Sequence, residues 1–91
     1  MFFLLLAACA GSDLPVGDAT AGADLYASTC ASCHAADGTG GAGPSLVSAT
    51  PGKSDAELTD IIQNGTGDMA AQGLDDQQTA DVVAFLVQSW G

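Results

Sequence analysis

Leu58, Ile61 and Ile62 recur at i, i+3 and i+4, which places them on one face of a helix. Ser54-Asp55-Ala56-Glu57 just ahead of them reads as a capping box, in which hydroxyl and carboxylate serve orphan backbone donors. Asn64-Gly65 ends this helix, with Gly65 suited to the left-handed position past the last turn. A second apolar run, Val82, Val83, Phe85 and Leu86, leads to Trp90 and predicts a helix starting at Asp75 or Asp76, with Leu74 just before it. Upstream, a helix capped by Asp18 or Thr20 is expected to run through Ala23, Leu25 and Tyr26 to Cys30 and Cys33. Glycine and proline at 38, 40, 41, 43, 44, 51 and 52 exclude a long regular element there. Leu46 and Val47 are that loop's apolar anchors, and a second glycine-rich loop, residues 65–73, contains Met69. No convincing strand pattern appears, so the expected fold is all-α, three to four short helices joined by long loops.

The first stretch, Met1 to Ala8, is apolar but far short of the roughly 20 residues that span a bilayer. Residues 1–8 read as an export signal, although no Lys or Arg precedes the apolar run. Leu6-Ala7-Ala8-Cys9 resembles the lipobox of bacterial lipoproteins, in which the cysteine carries the lipid. Ala8-Cys9-Ala10 also fits ordinary small-x-small cleavage, which would release a soluble periplasmic protein. A lone thiol is awkward in an exported protein, and lipidation removes it. On the lipobox reading, residues 9–17 are the anchor cysteine and a short linker, and residues 18–91 are the domain. About eight linker residues reach at most about 29 Å.

Charge narrows the partners. Eleven carboxylates, one lysine (Lys53) and no arginine give a formal net charge of −10. Nucleic-acid binding relies on cationic side chains, and so does adhesion to anionic lipid through basic residues. Neither fits this chain. A partner with a basic docking face does, because complementary charge speeds encounter, although a solvated acidic surface accounts for most of these carboxylates. Outside the signal the aromatics are Tyr26, Phe85 and Trp90. Domains of about 80 residues commonly need a disulfide, metal or other staple, so the shortage of core volume points to a non-protein group in the middle.

Three chemistries compete for Cys30-Ala31-Ser32-Cys33-His34. A redox dithiol wants its cysteines at a helix start after a strand, whereas here they end a helical stretch. Structural zinc needs four ligands, and a fourth is hard to find. The third reading, c-type haem attachment, uses every residue. Cysteines three apart share a helix face, so both thiols can add to the vinyl groups of one porphyrin, and the adjacent histidine can ligate the iron. For a sixth ligand the candidates are Met69, Lys53 and Cys9. Cys9 lies in the wrong segment, Lys53 stands by a helix start facing solvent, and Met69 sits in a polar loop between two helices. Histidine–methionine ligation raises the potential and suits electron transfer.

These residues resemble the small class I c-type cytochromes over nearly the whole mature chain. Gly22, Tyr26 and Cys30 match that family's small residue, aromatic and first haem cysteine, and Asp81-Val82-Val83-Ala84-Phe85-Leu86 looks like its C-terminal helix. Gly43-Pro44-Ser45-Leu46 is similar to its Gly-Pro-x-Leu segment. The resemblance implies a class I cytochrome c fold wrapped around one haem bound covalently through Cys30 and Cys33, with His34 and Met69 as axial ligands. It also implies that the Pro44 carbonyl accepts the His34 Nδ1–H, that Leu46 packs on the haem, and that the terminal helices cross at Gly22. Two positions depart from the family pattern: Ala70 stands where proline usually follows the methionine, and Ala35 where glycine often follows the histidine. Trp90 is expected to pack on the core rather than serve as a docking spot, and Asn64 to end its helix rather than bond the methionine sulfur. The implied function is a monomeric one-electron carrier on the periplasmic side, held to the membrane by lipid, serving respiratory partners and transforming no substrate. The alternative is a haem sensor or small peroxidase-like enzyme with a displaceable sixth ligand.

Overall fold

The computed structural model describes residues 15–67 and 69–91. The expected signal at 1–8 and the expected lipidation at Cys9 lie outside the described residues. Helix α1 (Ala19–Leu25) runs into a π-helical turn (Tyr26–Cys30) and then α2 (Ala31–His34). A long loop leads to α3 (Leu46–Ala49), a 3-10 turn (Thr50–Gly52), α4 (Asp55–Asn64) and α5 (Asp76–Trp90). The described residues contain no strand, only a single bridge between Thr66 and Met69.

Local chemistry sets the helix starts. The Asp18 carboxylate accepts from the Thr20 backbone N–H at 2.9 Å and caps α1. The Ser54 box forms as expected: the hydroxyl accepts from Glu57 N at 3.1 Å, and Ser54 N donates to the Glu57 carboxylate at 2.8 Å. Asp75 and Gln78 form a second box at the start of α5, which the pattern reading does not single out. The helix α3 is a finding too, a single turn inside the glycine-proline stretch, where the Ser45 hydroxyl caps Ser48 N.

Helices α1 and α5 cross backbone to backbone at Gly22, where a Cβ would lie 1.9 Å from the Asp81 carbonyl oxygen. The chain ahead of α1 is seated on the same helix. The buried Asp81 carboxylate accepts from Asp18 N at 2.8 Å and from the Gln77 amide at 2.9 Å, and that amide also donates to the Val16 carbonyl at 3.0 Å. Gly17 lies against Ala80 and Ala84, with no room for a side chain.

The core gathers Tyr26, Cys30, Leu58, Ile62, Val82, Val83 and Leu86, with Leu46, Leu74, Phe85 and Trp90 packed against it. Tyr26, Phe85 and Trp90 form a ring cluster with centroids 5.3–5.6 Å apart, and the Trp90 indole covers Gly38. Trp90 therefore packs. Among the described residues, the largest side chains fully withdrawn from solvent are Val82, Thr50 and Thr79. The chain has few large apolar side chains to give this core, and a domain this small commonly relies on a further group to complete its packing.

Candidate haem site

In an unbroken α-helix each step of four residues overshoots a full turn by about 40°. Three such steps from Gly22 to His34 would therefore drift by about 120°. The π turn closes from Ala31 N to the Tyr26 carbonyl and, being wider, takes back most of one step. Gly22, Tyr26, Cys30 and His34 consequently all stay on the buried side of one rod. Ser28 fills the bonding gap this opens, its hydroxyl reaching the Asp24 and Leu25 carbonyls at 3.2 Å each.

The rod presents one buried thiol, Cys30, and one exposed thiol, Cys33. Burial pushes the Cys30 thiol above its usual range, and the neighbouring Cys33 adds to this. His34 is 8% exposed, and its Nδ1 lies 2.9 Å from the Pro44 carbonyl oxygen. A carbonyl only accepts, so Nδ1 carries the proton and Nε2 is left as the basic nitrogen.

The loop that brings Pro44 back also grips the end of the rod. Gly43 N donates to the Cys33 carbonyl at 2.8 Å and Gly40 N to the His34 carbonyl at 2.9 Å. Gly43 lies flat on the imidazole: a Cβ there would stand 2.7 Å from Cε1 and 3.0 Å from Nδ1. Leu46 is tied to the same loop through its N–H to the Gly38 carbonyl at 2.7 Å, and its side chain joins the core. Tyr26 donates its hydroxyl to the Ala35 carbonyl at 2.6 Å. Ala35 has φ +69°, the one non-glycine residue of positive φ among those described.

Met69 arrives on a separate loop. Thr66 and Met69 exchange backbone hydrogen bonds of 3.0 and 2.8 Å, and the half-buried Met69 leaves that closed turn. Gln72 holds the far side, its N–H on the Ile62 carbonyl at 2.9 Å and its amide on the Ala70 carbonyl at 2.7 Å. The loop is therefore fastened at both ends although Ala70 replaces proline. Asn64 turns to Asp60 at 2.6 Å, and Lys53 is exposed.

Cys30, Cys33, His34 and Pro44 are thus brought together, with Leu46 bound to the same loop. The sequence reading does not assign the contact of Gly43 with the imidazole, the Tyr26 hydroxyl bond or the backbone of Ala35. Ala35 in place of the family's glycine is the signal for the last. Two thiols three residues apart and a histidine whose Nε2 is left unprotonated suit a covalently bound haem, which would supply a one-electron iron couple when attached.

Known proteins agree. A family model described as "Cytochrome C oxidase, cbb3-type, subunit III" matches residues 17–86. Cytochrome c-551 of Bacillus subtilis (strain 168) is 30% identical, the match covering 91% of this chain and 83% of that protein. Cytochrome c6 of the diatom Phaeodactylum tricornutum superposes with a TM-score of 0.67 at 28% identity, over 80% of this chain and 94% of that one. Cytochrome cL of Hyphomicrobium denitrificans gives a TM-score of 0.67 at 25% identity, over 76% of this chain but only 45% of its own. The chain belongs to this family: it is a small class I c-type cytochrome, a haem-based electron-transfer protein with one covalent c-type haem on the Cys30–Cys33–His34 motif.

Proposed function

We propose that the protein carries single electrons on a His34/Met69-ligated haem, on the periplasmic side of a bacterial envelope, anchored by lipid at Cys9 and serving a respiratory chain. The observation that carries this reading is the 2.9 Å contact of His34 Nδ1 with the Pro44 carbonyl, which fixes the ring and aims Nε2 away. The closed Thr66–Met69 turn supports methionine as the sixth ligand, since a fastened loop loses little freedom on binding. The respiratory place rests on the likeness to a model whose description names an oxidase subunit. No helix among the described residues is long and apolar enough to cross a membrane. The −10 charge favours partners with a basic docking face.

In this mechanism Pro44 keeps the proton on Nδ1, the 38–43 loop holds the end of α2, and the core walls keep water from the ligand nitrogen. The test is the absorption spectrum and intact mass of the exported protein, beside Met69→Ala. One added haem mass and the long-wavelength ferric band of methionine–iron bonding are expected, with the band lost and the potential lowered in Met69→Ala. Ready carbon monoxide binding to the ferrous wild type, without that band, would favour the sensor or peroxidase-like reading. Cys9→Ser is expected to leave the spectrum intact and release the protein from membranes; retained membrane association would refute the anchor.

A further inference from the structure

Three successive carbonyls at the end of the ligand-bearing rod are captured, and their donors differ in kind. Those of Cys33 and His34 take backbone N–H groups from the following loop. That of Ala35 takes Gly38 N at 3.1 Å and, at 2.6 Å, the Tyr26 hydroxyl. The residue so held is the strained one. At φ +69° and ψ +156° a side chain is crowded, and such a conformation persists only where its surroundings over-determine it.

Tyr26 is built to supply that constraint. Tyr26 is 2% exposed, and its ring packs against both Phe85, at 5.3 Å, and Trp90, at 5.5 Å. A phenylalanine would fill the same space, so packing alone does not call for the hydroxyl. A buried hydroxyl needs a partner, and this one finds the carbonyl of Ala35, the residue that directly follows His34. Gly40, Gly43 and Pro44 grip the histidine from the loop side, and Tyr26 grips from the core side.

We propose that the Tyr26 hydroxyl is a positioning group for the proximal ligand: by pinning the strained Ala35 peptide it sets the plane of the His34 ring and its bond to the Pro44 carbonyl. Tyr26 touches neither iron nor partner; it acts through the backbone. The inference rests on His34 as an iron ligand.

The test is a cycle on the haem-loaded protein with Tyr26→Phe, Ala35→Gly and both together. Three quantities are read: the denaturant midpoint, the reduction potential, and the hyperfine-shifted imidazole protons of His34 in the ferric state. Tyr26→Phe is expected to lower the folding equilibrium constant at least tenfold, to displace the imidazole resonances, and to raise the potential as the Nδ1–H bond slackens. Glycine at 35 holds that backbone without strain. In the Ala35→Gly background Tyr26→Phe should therefore cost less than threefold and leave the resonances nearly in place. Equal effects in the two backgrounds, or a stability loss with potential and resonances unmoved, would overturn the proposal. Absence of shifted imidazole protons in the wild type would instead refute His34 as a ligand.

Discussion

Gly43→Ala measures how tightly the ligand histidine is held. A Cβ at 43 would stand 2.7 Å from the His34 Cε1 and 3.0 Å from Nδ1, whereas relaxed contacts lie at about 3.5–4.0 Å. Ring and loop must therefore part by roughly 0.5–1 Å. The Nδ1 contact with Pro44, now 2.9 Å, is on the next residue of the same loop and stretches to or past the limit of a hydrogen bond. Losing it while the donor stays buried costs about 1–3 kcal/mol of stability. A weaker Nδ1–H bond also makes the imidazole a poorer electron donor, which favours ferrous iron. If the two oxidation states differ by about 0.5–1 kcal/mol in that bond, the potential rises by about 20–40 mV, taking 59 mV per tenfold for one electron. Potentiometric titration of wild type and variant reads the shift, and solvent exchange of the His34 Nδ1 proton reads the bond. An unchanged potential together with unchanged exchange would refute the reasoning.

Three more outcomes follow from the same geometry. Gly22→Ala puts a Cβ 1.9 Å from the Asp81 carbonyl at the helix crossing, so α1 and α5 must separate; a loss of about 3 kcal/mol or more in denaturant titration is expected. Thr50 is 1% exposed and its hydroxyl has no hydrogen-bond partner among the described residues, so Thr50→Val should gain about 1 kcal/mol. A loss there would mean that the hydroxyl finds a haem carboxylate or a trapped water in the loaded protein. The Ser54 backbone N–H, then its hydroxyl, hold the Glu57 carboxyl below the ordinary range. That stabilisation is complete above the ordinary glutamate value and is lost as pH falls through the lowered one. A carboxyl-carbon NMR titration of Glu57 should show the depressed midpoint, moved part of the way back up by Ser54→Ala.

What was legible in the chain divides along physical lines. The Asp18 and Ser54 caps, the 58–61–62 face and the Cys30–Cys33–His34 motif are local: each needs only a few neighbouring residues, and the structure has the helices they predict. The His34–Pro44 bond is reachable only through resemblance, because its partners stand ten positions apart along a loop. The π turn was not legible. Its sequence, Tyr26 to Cys30, is ordinary helix material, and the extra residue per turn is imposed by the need to bury Gly22, Tyr26, Cys30 and His34 together. The single turn of α3 hid among glycines and prolines, which argue against long elements and say little about one turn. Ala35 misleads in the other direction, since alanine is a good helix former and nothing local foretells its positive φ.

The stretch from Val16 to Asp18, fastened to α5 by Gln77 and Asp81, changes the geometry of any anchorage. With a lipid on Cys9, six Cα steps, at most about 21 Å when fully extended, would separate the anchor from Pro15. Beyond it the rod from Ala19 to His34 acts as a stiff spar of roughly 24 Å, with the haem cysteines at its far end. Such a domain would keep its redox centre within a bounded height above the bilayer, set by the length of that spar and by its seat on α5. Which acceptors it meets would then depend on their height above the membrane as much as on their charge.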